Sequence, residues 1–358
     1  MHALRGGQLP GVFRFDATGS ARHRPLPRCG HCRFACAGYC RGVSLHNVRT
    51  SLEPPAATGC TCRGRIGSGI DSSGQCRRAG AATTAVTGPI PYRSRLELER
   101  LRNGVRRLFP LFREIGSSTV QGTTAVQLDR LVERYLQKHG LTSAMRGYRG
   151  YPASSAISVN SVAAHGLPDG RPIQRGDLFT LDVAARGGGW VSDAAWTYLM
   201  PGSSGRTSTF YHRSWNAFRG LLSSIEPGMT LYNLARRSQE IADEAGLVVL
   251  PQFVGHGIGR KLHEPPVIPF TLQEIDSSAS AIALRAGSTI NIEPIYSAGG
   301  ASVHRNEDGW SYRTLDGAMT AHFELTLLVE SDHVSVLQFD GCAPEDLPGE
   351  PPFGVLSG

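Results

Sequence analysis

A repeat constrains this chain more than any other feature. Gly122-Thr-Thr-Ala-Val-Gln-Leu128 matches Gly228-Met-Thr-Leu-Tyr-Asn-Leu234 at a constant offset of 106 residues. The register continues through Arg130 with Arg236, Gly140 with Gly246 and Leu141 with Leu247. In both copies a turn precedes a stretch of about 17 residues that reads as a helix stopped by glycine at a C-cap position. A unit repeated in this way predicts two similar α/β halves, and a cleft between such halves is a natural place for a site. Strand-like runs follow each helix: 157–162 and 178–184 in the first half, 288–294 and 323–329 in the second. Ahead of them Leu96, Leu101, Val105 and Leu108 predict an amphipathic helix over 94–109, ending near Pro110.

Four acids and one histidine sit where a free charge is expensive. Asp182, Glu293 and Glu324 lie inside apolar runs, Asp193 follows a glycine-rich turn, and His256 lies in Phe253-Val-Gly-His-Gly-Ile-Gly-Arg260. Four carboxylates brought together repel, and each buried one costs several kcal/mol if left unpaired. Two divalent cations cancel a charge of four minus, and one imidazole beside carboxylate oxygens suits a first-row transition metal. Convergence of the five would make the chain a two-metal hydrolase.

The stretch 178–196 reads as a hairpin turning at Gly187–Gly189. Asp182 and Asp193 are symmetric about that turn, which predicts that they face each other on one side of the sheet, about 5 Å apart at Cβ. Like charges directly opposite are destabilising unless something positive lies between them. His263, in Leu262-His-Glu-Pro-Pro266, adds a second imidazole close to the glycine-rich loop, whose glycines are expected to let backbone approach a ligand.

Composition matters chiefly for what it confines to the N-terminus. The formal charge of +7 is uneven: residues 1–90 hold twelve arginines and three acids, leaving about −2 on the remaining 268. The basic balance therefore says little about a nucleic-acid face on the folded body. Only Lys138 and Lys261 are lysines, a usage better explained by GC-rich coding than by a binding surface. Seven of eight cysteines lie in the first 76 residues, leaving Cys342 alone beyond them. The body thus has no disulfide framework, and with no apolar run of membrane-spanning length the expected compartment is the cytoplasm.

Cys29, Cys32, Cys36 and Cys40 form a C-x2-C-x3-C-x3-C run that could hold a structural zinc. The competing readings of this arm are disorder, a transit-peptide-like segment, or sequence upstream of a start near Val86. The expected organisation is therefore an Arg/Cys-rich arm over 1–90, the main domain over 91–338, and a Pro/Gly-rich tail over 339–358.

The chain resembles the methionine aminopeptidases, of the type 1, bacterial-like kind, over about residues 92–338. The resemblance rests on linked motifs: Gly147-Tyr-Arg-Gly-Tyr-Pro152, Ile157-Ser-Val-Asn160, Ala164-His-Gly166, Gly255-His-Gly-Ile-Gly-Arg260, Ile292-Glu-Pro294 and Asp308-Gly-Trp310. It implies an α+β pita-bread fold, two pseudo-twofold related α/β halves around a curved antiparallel sheet. The implied activity is removal of the initiator methionine from nascent chains with a small second residue. The implied cofactor is a pair of divalent ions, Mn, Fe, Co or Zn. Asp182 would hold one ion, His256 and Glu293 the other, and Asp193 and Glu324 would bridge them. Glu293 would serve as general base and acid, His263 would hydrogen-bond the scissile amide in the transition state, and His165, also counted as catalytic, would contact the substrate backbone. Tyr148, Tyr151, Trp310, Met145 and Leu262 would line the methionine pocket. Nascent N-termini would be the partners of a monomer, near the ribosome, with no membrane and no specific nucleic acid.

Departures from the family pattern accompany the matches. Leu325 stands where a His is usual, Met145 and Ala156 where Cys is common, Leu262 for a common Phe and Arg149 for a common His. The stretch between His256 and Glu293 is slightly extended, with a polar run over 274–280. Two other readings remain: a proline-specific hydrolase of the same fold, and a specialised or catalytically silent scaffold that binds peptides. Against the first, no Arg- and His-rich proline motif lies near Glu293; against the second, the whole ligand set is kept.

Overall fold

The computed structural model describes residues 89–275 and 281–356. The zinc-ligand cysteines of the arm, the start near Val86 and most of the polar run lie outside the described residues. Among the described residues no helix is long and apolar enough to cross a membrane.

The two copies of the repeat have the same local structure. Helices Ala125–Lys138 and Leu231–Glu244 are capped by Thr124 and Thr230, whose hydroxyls accept from the backbone N–H of Gln127 and Asn233. Each ends in a left-handed glycine, Gly140 at φ 62° and Gly246 at φ 64°. The next residue, Leu141 or Leu247, bonds back to Leu136 or Ala242 and is buried. This is a Schellman-type stop, and it ends both helices at 14 residues rather than about 17. The first predicted helix runs Arg95–Leu108, with Ser94 and Glu97 forming a capping box. Pro110 then starts a second short helix, Pro110–Ser118, that the periodicity had not suggested, because proline is well placed at the first helical turn.

Strands Leu178–Gly187 and Trp190–Leu199 form the central hairpin of a four-stranded antiparallel sheet that also holds Thr142–Ser143 and Ala156–Val159. Its turn is Gly188-Gly189, both at positive φ, the two-residue connection that matches strand twist. In the second half, Gly255–Gly257, Glu264–Ile268, Thr289–Ile292, Leu325–Val329 and Val334–Val336 form a five-stranded antiparallel sheet. The sheets meet at one bridge, where Glu324 N–H donates to the Ala195 carbonyl at 2.9 Å.

Strand alternation divides these sheets into two faces. Leu181, Val183, Trp196, Tyr198, Ile290, Ile292, Phe323, Leu325 and Leu327 all enter the main hydrophobic core. There Phe323 packs edge-on against Trp196 and Trp215, with ring centroids 5.3 Å from each. Leu325, which takes the place of a usual family histidine, is thus a fully buried core residue. The stretch read as a Pro/Gly-rich tail runs back over this core: Phe353 lies 4.5 Å from Trp196, and Leu199 N–H donates to the Gly354 carbonyl.

Candidate metal centre

The face opposite the core carries the polar residues, in rows set by strand register. Asp182 pairs with Ala195, and Ala195 bridges to Glu324. Glu293 follows the strand step at which Ile292 pairs with Leu325, which brings it beside Glu324. In the next row Asp193 pairs with Ala184, while Asn291 stands between Thr326 and His256. Asp182 and Asp193 are therefore not directly opposite, as the symmetric hairpin had suggested. The two-residue glycine turn pairs Gly187 with Trp190, leaving the acids two residues out of register but on the same face.

Four of the five expected ligands, Asp193, His256, Glu293 and Glu324, come close together, while Asp182 shares their face but belongs to neither close group. His256 Nε2 lies 3.2 Å from Glu293 Oε1 and 3.8 Å from Asp193 Oδ2. Two groups have ligand atoms close enough to hold an ion, Asp193–His256–Glu324 and Glu293–His322–Glu324. Asp193, His256, His322 and Glu324 are buried, whereas Asp182 and Glu293 are partly open. Separations of 3.2–3.9 Å fall within the span of two metal–ligand bonds of about 2.0–2.2 Å each. Asp193 Oδ1 and Glu293 Oε1 are buried oxygens with no hydrogen-bond donor. Such atoms are costly unless something satisfies them, and a cation would. The donor set fits a metal.

The charges of the site express the same conflict. Burial raises Asp182 to about 7. Burial and then the charge of Asp182 lift Asp193 well above the usual carboxylate range. Glu293 and Glu324 rise for the same reasons, burial first and their acidic neighbours after it. Burial pushes the histidines the other way, His256 to about 4 and His322 to about 3, so both are neutral at pH 7 and cancel none of the negative charge.

His256 owes its position to close packing. A Cβ on Gly255 would stand 2.4 Å from the Asn291 carbonyl oxygen, and one on Gly257 would stand 2.1 Å from that of Pro265. The glycines thus admit neighbouring strands rather than a ligand, which is where the structure departs from the sequence expectation. The His256 ring is fixed from behind by a 3.0 Å contact of Nδ1 with the Gly257 carbonyl, leaving Nε2 for the acids.

The chain matches metallopeptidase family M24 over residues 99–331. It is 30% identical to methionine aminopeptidase 1 of Bacillus subtilis over 241 residues, covering 67% of this chain and 96% of that protein. To methionine aminopeptidase 2 of Mycobacterium tuberculosis it is 31% identical over 240 residues, covering 67% of this chain and 83% of that one. The crystal structure of a methionine aminopeptidase from Thermotoga maritima superposes with a TM-score of 0.66 at 32% identity, over 70% of this chain and 99% of that one. The chain belongs to the methionine aminopeptidases of metallopeptidase family M24.

Beside the acids, this M24 chain builds an apolar wall from two small clusters joined by Met145. One holds Leu262 with Ala184, Val191 and Ile258; the other holds Tyr151, Ala153 and Ala156 with Trp310. Tyr151 is locked: its hydroxyl donates to the Ser155 and Gly166 carbonyls at 3.1 Å, and its ring meets Trp310 edge-on at 5.3 Å. Tyr148, expected in the same pocket, has its hydroxyl 2.7 Å from His263 Nδ1. The His263 ring stands 4.4 Å from that of His256 and is pushed down to about 3, first by burial and then by the neighbouring His256, Arg149 and His165 charges. His165 is exposed, with a left-handed φ of 53°, and is flanked edge-on by Phe253 and Tyr312. A non-glycine residue held in that region is strained, a feature that concentrates at functional sites.

Sequence reading missed three residues of this M24 site. His322 lies two positions before Glu324 on the same strand face, and period-two alternation was the available signal. Asn291, two before Glu293, donates to Glu324 Oε1 at 2.6 Å. Arg93 forms a buried ion pair with Glu264 and also donates to the Ile258 carbonyl at 3.0 Å, tying the N-terminal segment to the histidine loop.

Proposed function

We propose that this chain removes the N-terminal methionine from nascent polypeptides whose second residue is small, using two divalent ions. The observation that carries the reading is one sheet face of four acids, two of them, Asp193 and Glu293, with an unsatisfied buried oxygen, set beside an apolar wall of Met145, Leu262, Tyr151 and Trp310. Asp182, Asp193, His256, Glu293 and Glu324 would hold the two ions. Mixed carboxylate and imidazole donors suit Mn, Fe, Co or Zn. When bound, the ions supply Lewis-acid chemistry, polarising a carbonyl and lowering the pKa of water.

The protein's own groups do the rest. Glu293, lifted by burial and then by Asp193 and Asp182, is a carboxylate able to accept a proton and later pass it to the leaving amine. In the tautomer where Nδ1 accepts from the Tyr148 hydroxyl, neutral His263 carries its proton on Nε2 and can offer it to the scissile amide. His165 meets the substrate backbone at the open side. An unbranched, polarizable thioether suits the wall around Met145. On this reading the enzyme works as a monomer in the cytoplasm, close to the ribosome.

Full-length protein reconstituted with Mn, Co or Fe should release methionine from Met-Ala-Ser and not from Met-Lys-Ser. His256→Ala and Glu293→Gln should each abolish turnover. Release from Xaa-Pro peptides alone would replace this reading with a proline-specific one, and two bound ions without any release would point to a specialised substrate.

A further inference from the structure

The centre contains an imidazole that the five-ligand set does not use. His322 is 5% exposed, and its Nε2 has no hydrogen-bond partner although it is buried. That atom lies 3.9 Å from Glu293 Oε2, too far for a hydrogen bond. It forms with Glu293 and Glu324 a group whose ligand atoms lie within 4.8 Å of one another. The residue is not free to turn away by backbone motion. Its N–H donates to Thr197 Oγ1 at 2.8 Å, and the Thr197 hydroxyl returns a bond to its carbonyl at 2.9 Å. Strand pairing with Ile295 fixes the same step of chain.

A buried, unpartnered imidazole costs free energy unless something takes its lone pair. The site then divides into two triads that share Glu324, and each contains one histidine. We propose that His322 Nε2 is a sixth protein ligand of the metal pair, binding an ion together with Glu293 and Glu324. The inference rests on the metal-binding reading above and deepens it: the pair carries two imidazoles rather than one.

Added nitrogen shifts preference along the first-row series, away from Mn and toward Co and Zn. Carboxylate-only positions suit Mn; an imidazole position favours the later metals.

The test reads coordination rather than turnover. Full-length protein loaded with two equivalents of Co(II) should give an X-ray absorption fit with about one imidazole per cobalt, averaged over both ions. His322→Gln should halve that count, change the visible cobalt spectrum, and weaken Zn and Co binding by about tenfold or more in calorimetry while changing Mn binding less. A His322→Gln protein that fails to fold leaves the imidazole count of the unaltered protein as the deciding measurement. Half an imidazole per cobalt in that protein, or identical spectra and affinities for the variant, overturns this inference alone. Absence of metal binding by the unaltered protein overturns both it and the reading on which it rests.

Discussion

Asn291 Nδ2 donates to Glu324 Oε1 at 2.6 Å, and through that bond the carboxylate is oriented before any ion arrives. The amide oxygen accepts from Thr326 Oγ1 at 2.8 Å. Gln338 in turn donates to Thr326 Oγ1 and to the Asp193 carbonyl. This chain of bonds joins both acids assigned as bridging. Outer partners of this kind typically govern metal affinity by about 10–100-fold. Asn291→Ala should therefore weaken metal binding by about that factor in a chelator competition. It should also lower stability by about 1–3 kcal/mol, because buried Thr326 and Glu324 both lose a partner. Unchanged affinity would show that the amide orients nothing.

Proton release on metal binding follows from the raised carboxylates. Asp182, raised to about 7, and Asp193, Glu293 and Glu324, raised by burial and then by their acidic neighbours, retain protons in the metal-free fold that an ion must displace. Calorimetry at pH 7 in buffers of different ionisation enthalpy should show protons leaving as metal enters, and affinity should rise with pH. Equal heats across buffers would contradict the shifts.

Stability of the metal-free protein should have a defined pH dependence. A raised carboxylate contributes stability that is complete below its ordinary pKa of about 4 and is lost as pH climbs through its folded value, here about 7 for Asp182. Depressed His256 and His322 act oppositely: their contribution is present above about 6.5 and is lost as pH falls toward about 4 and about 3. Chelator-treated protein should therefore melt at a lower temperature at pH 8 than at pH 6.5, and metal should remove that difference. A melting temperature that rises steadily from pH 6 to 8 without metal would refute the assignment.

The Arg93–Glu264 pair is buried on both sides, with side chains 7% and 8% exposed. Breaking one partner of such a pair leaves an uncompensated charge and costs about 3–5 kcal/mol. Arg93→Ala should show that loss in urea denaturation. Arg93→Met combined with Glu264→Gln should recover a substantial part, since the penalty comes from the orphaned charge.

Tyr148→Phe isolates the hydroxyl that meets His263. Loss of one hydrogen bond of about 1 kcal/mol predicts a fall in kcat of about fivefold to tenfold with metal content unchanged. An unaltered rate would assign Tyr148 to the outer wall of the pocket alone.

Much of the fold could be read locally. The capping threonines, the stopping glycines and the offset of 106 are short-range signals, and Thr124, Thr230, Gly140 and Gly246 behave alike in the two copies. The convergence of Asp193, Glu293 and Glu324 was also legible, because an acid in an apolar strand calls for a partner wherever that strand lies. Register was harder. Asp182 sits beside Ala195 rather than Asp193 because the hairpin closes on two glycines, a choice of turn the Gly-Gly-Gly run leaves open.

By itself the sequence determined where the helices stop, which residues are expensive to bury, and that two related halves exist. The tertiary structure alone decided which groups meet. The Ala195 bridge, a contact between strands distant in sequence, brings Glu324 to the hairpin of Asp182 and Asp193. The same bridge and the Ile295 pairing bring His322 onto the acid face and send Leu325 into the core. Alternation assigns side chains to one face or the other, but the face that holds the metal is known only once the helices have covered its opposite.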